Sequence, residues 1–160
     1  MTQAASLYDF TMDSIEGKPV PLSEYKGKVA LVVNVASRCG FTPQYEALEA
    51  TYRNYRDRGL VVLGFPANNF KGQEPGTNAQ ILDFCKRTYD VTFPMFSKIS
   101  VLGEDKAPLY QFLTAGGSEI EWNFTKFVVG RDGAVVARFP SKVKPDAPEV
   151  IAAIEKALAR

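Results

Sequence analysis

Histidine is missing from this chain of 160 residues, and cysteine occurs only twice, at Cys39 and Cys85. Without an imidazole, the protein cannot contain a serine triad, a cysteine–histidine pair or a histidine-rich metal site. Two cysteines are also too few for a cysteine-only zinc site and too sparse for the disulfide framework of a small secreted domain. We therefore expect neither a metal nor a cofactor, and a thiol activated without imidazole is the best candidate for any nucleophilic chemistry.

An excess of charge of one sign is missing as well, since 19 lysines and arginines stand against 18 acidic residues. This balance gives no reason to expect nucleic acid or an acidic membrane as a partner. No apolar run approaches the roughly 18–20 residues that span a bilayer. The first six residues lack the basic and apolar segments of a signal peptide, so we expect a cytoplasmic protein with no stable membrane association.

Linkers, internal repeats and low-complexity tracts are not found either. The apolar fraction of 46% is ordinary for a globular chain, and a chain of this length buries a core without needing disulfides. We expect one domain over residues 1–160.

Buried strands are predicted by two apolar segments, residues 29–35 and 60–65. The first belongs to the longest charge-free apolar stretch, which Asn34 alone interrupts. Between the two strands we expect a helix, because Thr42 can cap a helix whose first position Pro43 suits, and Gly59 is typical of a helix end.

The rest of the chain carries hairpin and helix patterns. A capping-box pattern at 77–80 predicts a helix that runs to Tyr89. The other predicted elements are a hairpin of residues 7–12 and 18–22, a helix at 108–114, a hairpin of residues 122–129 and 134–139, and a final helix capped at 146–149. This order predicts an α/β, thioredoxin-like fold with a mixed central sheet, helices on both faces and an N-terminal β-hairpin.

Cys39 lies in the loop between the first predicted central strand and the helix that follows. Ligands collect at the carboxyl ends of strands in open α/β sheets, and a helix start offers unpaired N–H groups and a positive dipole. Both features favour a thiolate, as does the neighbouring Arg38. The alternative is a small buried hydrophobe, which is the commonest role of a free cysteine. A loop position beside Gly40 favours the functional interpretation.

Cys85 shares one helical face with Ile81, Leu82 and Tyr89, which we expect to be the core side. Spacing alone therefore favours a structural role for this cysteine. A disulfide with Cys39 would need Cα atoms within roughly 7 Å of each other, which would require the helix to unwind.

Three further residues have ordinary interpretations when each is taken alone. Trp122, the only tryptophan, is typical of a core or rim anchor, although its indole N–H needs a partner and a thiolate is one candidate. Gln73 and Asn123 are typical of a surface. Residues 65–76 contain more turn residues than a strand-to-helix link requires, which favours a shaped loop with a function.

Three segments of the chain resemble the signature segments of the glutathione peroxidase family. They are Asn-Val-Ala-Ser-Arg-Cys-Gly at 34–40, Phe-Pro-Ala-Asn-Asn-Phe-Lys-Gly-Gln-Glu-Pro-Gly at 65–76 and Trp-Asn-Phe-Thr-Lys-Phe at 122–127. The resemblance extends from about Tyr8 to the final helix. Three long segments in the right order and spacing make it specific.

The resemblance implies a role for each candidate residue. Cys39 takes the place of the peroxidatic residue, which is selenocysteine in many animal members. Gln73, Trp122 and Asn123 match the rest of the family's catalytic tetrad, and we expect their N–H groups to stabilise the sulfur anion and orient the peroxide. Cys85 matches the resolving cysteine of the non-selenium branch, which reverses the preference drawn from spacing.

The same branch implies the substrate and the partners. Its members reduce hydrogen peroxide or organic hydroperoxides through a sulfenic acid, here on Cys39, and a disulfide, here with Cys85, and they generally use thioredoxin rather than glutathione as reductant. Two departures from the family's pattern, Ala67 where Cys is frequent and Asn69 where Gln is frequent, do not touch the tetrad. Residues 115–121 lack the longer insertion of the tetrameric members, which implies a monomer.

Other functions use similar residues. A peroxide-sensing relay that passes its disulfide to a signalling partner would use the same two cysteines, and the sequence leaves this alternative open. A general thiol–disulfide oxidoreductase would need a C-x-x-C motif, which is absent. Similarity to the peroxiredoxins would need Pro and Thr or Ser seven and three positions before the cysteine, where Val32 and Ala36 stand.

Overall fold

The computed structural model describes residues 6–160, in which six strands and four α-helices form. The strands are β1 (Thr11–Asp13), β2 (Pro19–Pro21), β3 (Val29–Val35), β4 (Leu60–Pro66), β5 (Lys126–Val129) and β6 (Val135–Phe139). The helices are α1 (Gln44–Tyr55), α2 (Asn78–Tyr89), α3 (Pro108–Thr114) and α4 (Pro148–Leu158). Residues 1–5 lie outside the described residues. The prediction that the first six residues are not a signal peptide falls mostly on them. No helix within residues 6–160 has the length and apolar character needed to cross a membrane.

Four strands form the central sheet, in the order β4-β3-β5-β6. β3 and β4 run parallel, with Val29 opposite Leu60, whereas β5 runs antiparallel to both β3 and β6. β1 and β2 form a separate antiparallel hairpin. Because β5 runs against β3, the start of β5 lies at the same edge of the sheet as the ends of β3 and β4. This edge brings together three loops that are distant in sequence.

Both faces of the sheet are covered by helices. Every residue of β3 and β4 is buried, as their continuous apolar sequences predict. Along β3, Leu31 and Val33 belong to a cluster with residues of α1, α2 and α4, whereas Ala30 and Val32 belong to a second cluster with residues of α3 and of the N-terminal segment. The mixed sheet, the helices on both faces and the N-terminal hairpin confirm the predicted fold class.

Several predicted boundaries are confirmed, and the hairpins are shorter than predicted. The capping box of α2 forms, since Thr77 and Gln80 each accept a hydrogen bond from the other's backbone N–H. Residues Leu7–Asp9 form a 3-10 turn instead of a strand. β5 begins only at Lys126 because Phe124, with a φ of 64°, interrupts the extended backbone.

Two predicted helix caps are wrong. No side chain caps α1, which begins at Gln44, because the Thr42 hydroxyl is already held between Cys39 N and Ala36 O. No side chain caps α4 either. It begins at Pro148, whose ring nitrogen lacks one of the N–H groups that a cap would satisfy.

Candidate active site

The sequence-predicted residues meet at the edge where β3 and β4 end and β5 begins. The loop after β3 carries Cys39, the loop after β4 carries Gln73, and the loop before β5 carries Trp122 and Asn123. The first two loops are tied together by the backbone, because Arg38 N donates a hydrogen bond to Gln73 O over 3.0 Å. Such an edge is the usual place for a ligand in an α/β sheet.

The sulfur of Cys39 accepts two hydrogen bonds. Trp122 Nε1 lies 3.3 Å from Sγ, and the backbone nitrogen of Phe41 lies at the same distance. Cys39 is only 7% exposed, so little water competes for these contacts. Two fixed N–H donors in a dry site stabilise negative charge that develops on the sulfur.

The backbone of Cys39 is held by Thr42. Cys39 N donates to Thr42 Oγ1 over 2.9 Å, and this hydroxyl donates to Ala36 O over 2.8 Å. In addition, Thr42 N donates to Cys39 O over 3.0 Å. Thr42 therefore closes the loop around the sulfur. Because its hydroxyl is used for these contacts, it does not form the predicted cap of α1.

Gln73 and Asn123 form a pair beside the sulfur-bearing loop. Asn123 Nδ2 donates to Gln73 Oε1 over 3.0 Å. Among residues 6–160, no hydrogen bond joins either side chain to Cys39 Sγ. Since its oxygen is occupied, Gln73 keeps Nε2 as the group that can donate to a peroxide or an anion. Asn123 Nδ2 is thus bound to Gln73, and the expected donation from Gln73 and Asn123 to the sulfur anion stays a prediction.

Asn34 positions the loop that carries Trp122, and sequence reasoning gave it no role at the site. Its Nδ2 donates to Trp122 O over 3.1 Å, and its Oδ1 accepts from Thr125 N over 3.1 Å. Its backbone oxygen accepts from Phe124 N over 2.6 Å. Asn34 is fully buried in β3. The sequence held one signal for this role, namely a single amide side chain within an apolar strand, because buried polar side chains need hydrogen-bonding partners.

Glu74 is a second residue that sequence reasoning missed. It is fully buried, its Oε1 accepts from Ser37 N over 3.1 Å, and its Oε2 has no hydrogen-bonding partner among the described residues. Burial raises the pKa of this carboxyl group to about 7, although Ser37, Lys98 and Arg38 act in the opposite direction. Arg38 is itself exposed and borders a cavity of about 310 Å³ together with Glu74.

Cys85 lies on the inner face of α2 and is fully buried, as its spacing predicts. Both cysteines are free thiols and belong to the same apolar cluster. Burial raises the pKa of Cys85 to about 11, an effect that the facing Tyr45 hydroxyl opposes and Glu74 reinforces. Tyr45 Oη is buried and forms no hydrogen bond with any other group among the described residues.

A cavity lies beside the site on the side of the indole. A cavity of about 670 Å³ is lined by Trp122, Phe41 and Pro140, and also by the cationic side chains of Arg138 and Lys142. Apolar rings next to N–H donors suit a small organic substrate with one polar reactive group. Within residues 6–160, no group of three or more acidic or cysteine side chains is placed to hold a metal ion.

Known proteins share both the sequence and the fold. The family profile described as Glutathione peroxidase matches residues 7–114. The hydroperoxy fatty acid reductase of Synechocystis is 49% identical over 164 residues, which cover 96% of this chain and 96% of the relative. The crystal structure of Trgpx in apo form is 39% identical, with a TM-score of 0.79 over 99% of this chain and 98% of the other. A thioredoxin family protein from Chlorobium tepidum shares the fold alone, at 18% identity and a TM-score of 0.67 over 99% of both chains.

Proposed function

The chain belongs to the glutathione peroxidase family, and from this membership we propose a catalytic cycle in which Cys39 is the peroxidatic residue and Cys85 the resolving residue. The protein is an oxidoreductase of the peroxidase type that acts on hydroperoxides. The observation that carries the proposal is the pair of N–H donors on Cys39 Sγ, from Trp122 Nε1 and Phe41 N.

In the first stage, the thiolate of Cys39 attacks one oxygen of the hydroperoxide. The O–O bond breaks, the sulfur becomes a sulfenic acid, and the other oxygen leaves as water or an alcohol after taking up a proton. The N–H groups of Trp122 and Phe41 stabilise the sulfur before the attack. Gln73 Nε2, which Asn123 leaves free by binding Oε1, orients the peroxide oxygen. Removal of one preorganised donor of this kind typically costs about 3–4 kcal/mol of transition-state stabilisation.

In the second stage, Cys85 condenses with the sulfenic acid of Cys39, and α2 moves locally to bring the two sulfurs together. Only Ile81 and Cys85 are buried among the 12 residues of this helix. Leu82, Phe84 and Tyr89 are only partly buried against the same cluster, so α2 opens locally at a lower free-energy cost than the fully buried central strands.

In the third stage, thioredoxin reduces the disulfide. A thiolate of the reductant attacks one of the two sulfurs, and its second thiol then releases the mixed disulfide. A single dithiol completes both steps, whereas glutathione would need two molecules in succession. The proposal of thioredoxin rests on the presence of Cys85 in addition to Cys39 and on the resemblance to the non-selenium branch.

The cycle is tested by steady-state turnover with thioredoxin, thioredoxin reductase and NADPH, with glutathione and its reductase as the parallel arm. We compare the wild type with the matched pair Cys39→Ser and Cys85→Ser. We expect Cys39→Ser to be inactive with both reductants. We expect Cys85→Ser to consume about one equivalent of hydroperoxide and then to stop with thioredoxin.

Full thioredoxin-dependent turnover by Cys85→Ser would remove the resolving role. Faster turnover of the wild type with glutathione than with thioredoxin would remove the proposed reductant and leave the peroxidatic role of Cys39 standing. Slow turnover with both, together with a mixed disulfide to another protein trapped in cells, would favour the peroxide-sensing relay.

A further inference from the structure

Glu74 lies between the two segments that carry the cysteines. Its Oε1 accepts a hydrogen bond from the backbone nitrogen of Ser37, which stands two residues before Cys39. Glu74 also lines the cavity of about 310 Å³ to which Ile81 contributes. Ile81 precedes Cys85 by four residues and therefore lies on the same face of α2. One carboxyl group therefore lies beside the loop that carries Cys39 and beside the helix that carries Cys85.

The second oxygen of this carboxyl group is free to exchange a proton. Glu74 is fully buried, and Oε2 has no hydrogen-bonding partner among the described residues. A buried carboxylate oxygen without a partner costs stability and is uncommon in a folded protein. Because burial raises the pKa of Glu74 to about 7, both protonation states are populated near neutral pH.

Cys85 needs a proton acceptor before it can react. Only the thiolate is nucleophilic, and burial raises the pKa of Cys85 to about 11, so the thiolate is scarce at neutral pH. The chain has no histidine to accept the proton. The Tyr45 hydroxyl faces Cys85, but its own pKa is raised well above the usual value, so it holds its proton. Glu74 is the acidic group whose charge acts on both Cys85 and Tyr45.

We propose that Glu74 is the proton-transfer group of the resolving step, an inference that rests on the proposed cycle. Its carboxylate takes the proton of the Cys85 thiol as Cys85 attacks the sulfenic sulfur of Cys39, and then gives that proton to the leaving hydroxide. The S–O bond breaks and the S–S bond forms, so the sulfenic oxygen departs as water. The sulfur of Cys39 is reduced and that of Cys85 is oxidised, and no external oxidant is consumed.

The groups around Glu74 fix its backbone and leave the carboxyl group available. Lys98 Nζ donates to Glu74 O over 2.9 Å and to Gly76 O over 2.6 Å. Glu74 N donates to Asn68 Oδ1 over 2.8 Å. The side chain and backbone N–H of Ser37, then Lys98 and the exposed Arg38, all lower the pKa of Glu74, but burial has the larger effect. None of these contacts occupies Oε2.

The resolving step is measured in a single turnover of fully reduced protein with one equivalent of hydroperoxide. Samples are quenched with acid at set times, and mass spectrometry separates protein with a sulfenic acid from protein with a 39–85 disulfide. We expect Glu74→Gln to slow disulfide formation about 10²-fold at pH 7, the usual size of a general acid–base contribution. Glu104→Gln, the same change at an exposed position, is the matched control.

The pH profile distinguishes proton transfer from a structural effect. In the wild type, the rate of disulfide formation should rise with pH and level off above about pH 7 to 8, when Glu74 is ionised. In Glu74→Gln the rate should keep climbing towards the pKa of Cys85. Glu74→Asp keeps a carboxyl group, so its rate of disulfide formation should again level off at high pH.

Equal rates and equal pH profiles for the wild type and Glu74→Gln overturn the role of Glu74 alone. A wild type that forms no 39–85 disulfide overturns the proposed cycle instead, whatever Glu74 does. If Glu74→Gln misfolds and loses the first, peroxide-consuming phase, the pH profile of disulfide formation in the wild type decides the question by itself. A wild-type rate that keeps rising through about pH 9 without levelling off contradicts proton transfer to Glu74.

Discussion

Trp122 Nε1 lies 3.3 Å from Cys39 Sγ, although the two residues are 83 positions apart in the sequence. The contact depends on the antiparallel direction of β5, which brings the loop before this strand to the end of β3. Phe70 packs against the indole with 5.7 Å between ring centroids and limits its movement. The N–H group is therefore held on the sulfur by the fold.

Trp122→Phe removes this N–H group and keeps an aromatic ring against Phe70. We expect the rate of Cys39 oxidation by hydroperoxide to fall about 10²-fold, because one preorganised donor to the developing charge is lost. The rate is measured by stopped-flow consumption of peroxide in the first turnover, and the melting temperature serves as the folding control. A rate within twofold of the wild type, in a folded protein, would show that the indole does not act on the sulfur.

Thr42→Val removes the hydroxyl that accepts from Cys39 N and donates to Ala36 O. A buried N–H group left without an acceptor costs about 1–3 kcal/mol, so the free energy of unfolding should fall by this amount. The first-turnover rate should fall as well, since the loop that positions the sulfur is no longer closed. Thr42→Ser retains the hydroxyl and should restore both quantities. A loss in Thr42→Ser, which lacks only the methyl group, with none in Thr42→Val would show that the hydroxyl does not hold the loop.

Asn34→Leu replaces the buried amide by an apolar side chain of similar size. It leaves Trp122 O and Thr125 N without their Asn34 partners. We expect the free energy of unfolding, measured by urea denaturation, to fall by about 2–4 kcal/mol. The emission spectrum of Trp122, the only tryptophan, should shift in the folded state because its loop is released. An unchanged spectrum would show that Asn34 does not position the indole.

Lys126 predicts a pH dependence of stability. It is fully buried in β5, Nζ donates to Ser141 O over 2.9 Å and to no other group in residues 6–160, and burial lowers its pKa to about 7. Because this value lies below the unfolded one, the folded protein binds fewer protons between about pH 7 and 10, so stability rises with pH in this window. The free energy of unfolding of the wild type, relative to Lys126→Met, should increase by about 3 kcal/mol between pH 7 and 9.5. A constant difference would mean that Lys126 remains charged in the folded protein.

The regular elements were predictable because their signals are local. The continuous apolar residues of β3 predict a strand buried on both faces, and the pattern Thr77 to Gln80 predicts the capping box that α2 contains. The inner position of Cys85 follows from helical spacing in the same way. Each of these signals lies within a few residues, where backbone geometry decides the outcome.

The polar contacts that organise the site were not predictable, since they join distant segments. Thr42 has the sequence position of a helix cap, but two backbone groups of the neighbouring loop compete for its hydroxyl and hold it. Glu74 and Lys126 are charged residues, which sequence reasoning expects at the surface, yet both are fully buried. Asn34 finds its partners 88 and 91 residues further along the chain.

The peroxidatic role of Cys39 is tested by trapping its sulfenic acid. Cys85→Ser and Cys39→Ser are each treated with one equivalent of hydroperoxide in the presence of dimedone, and the adduct is located by mass spectrometry. We predict an adduct on Cys39 in the first variant, and neither an adduct nor peroxide consumption in the second. Peroxide consumption by Cys39→Ser with an adduct on Cys85 would contradict the assignment.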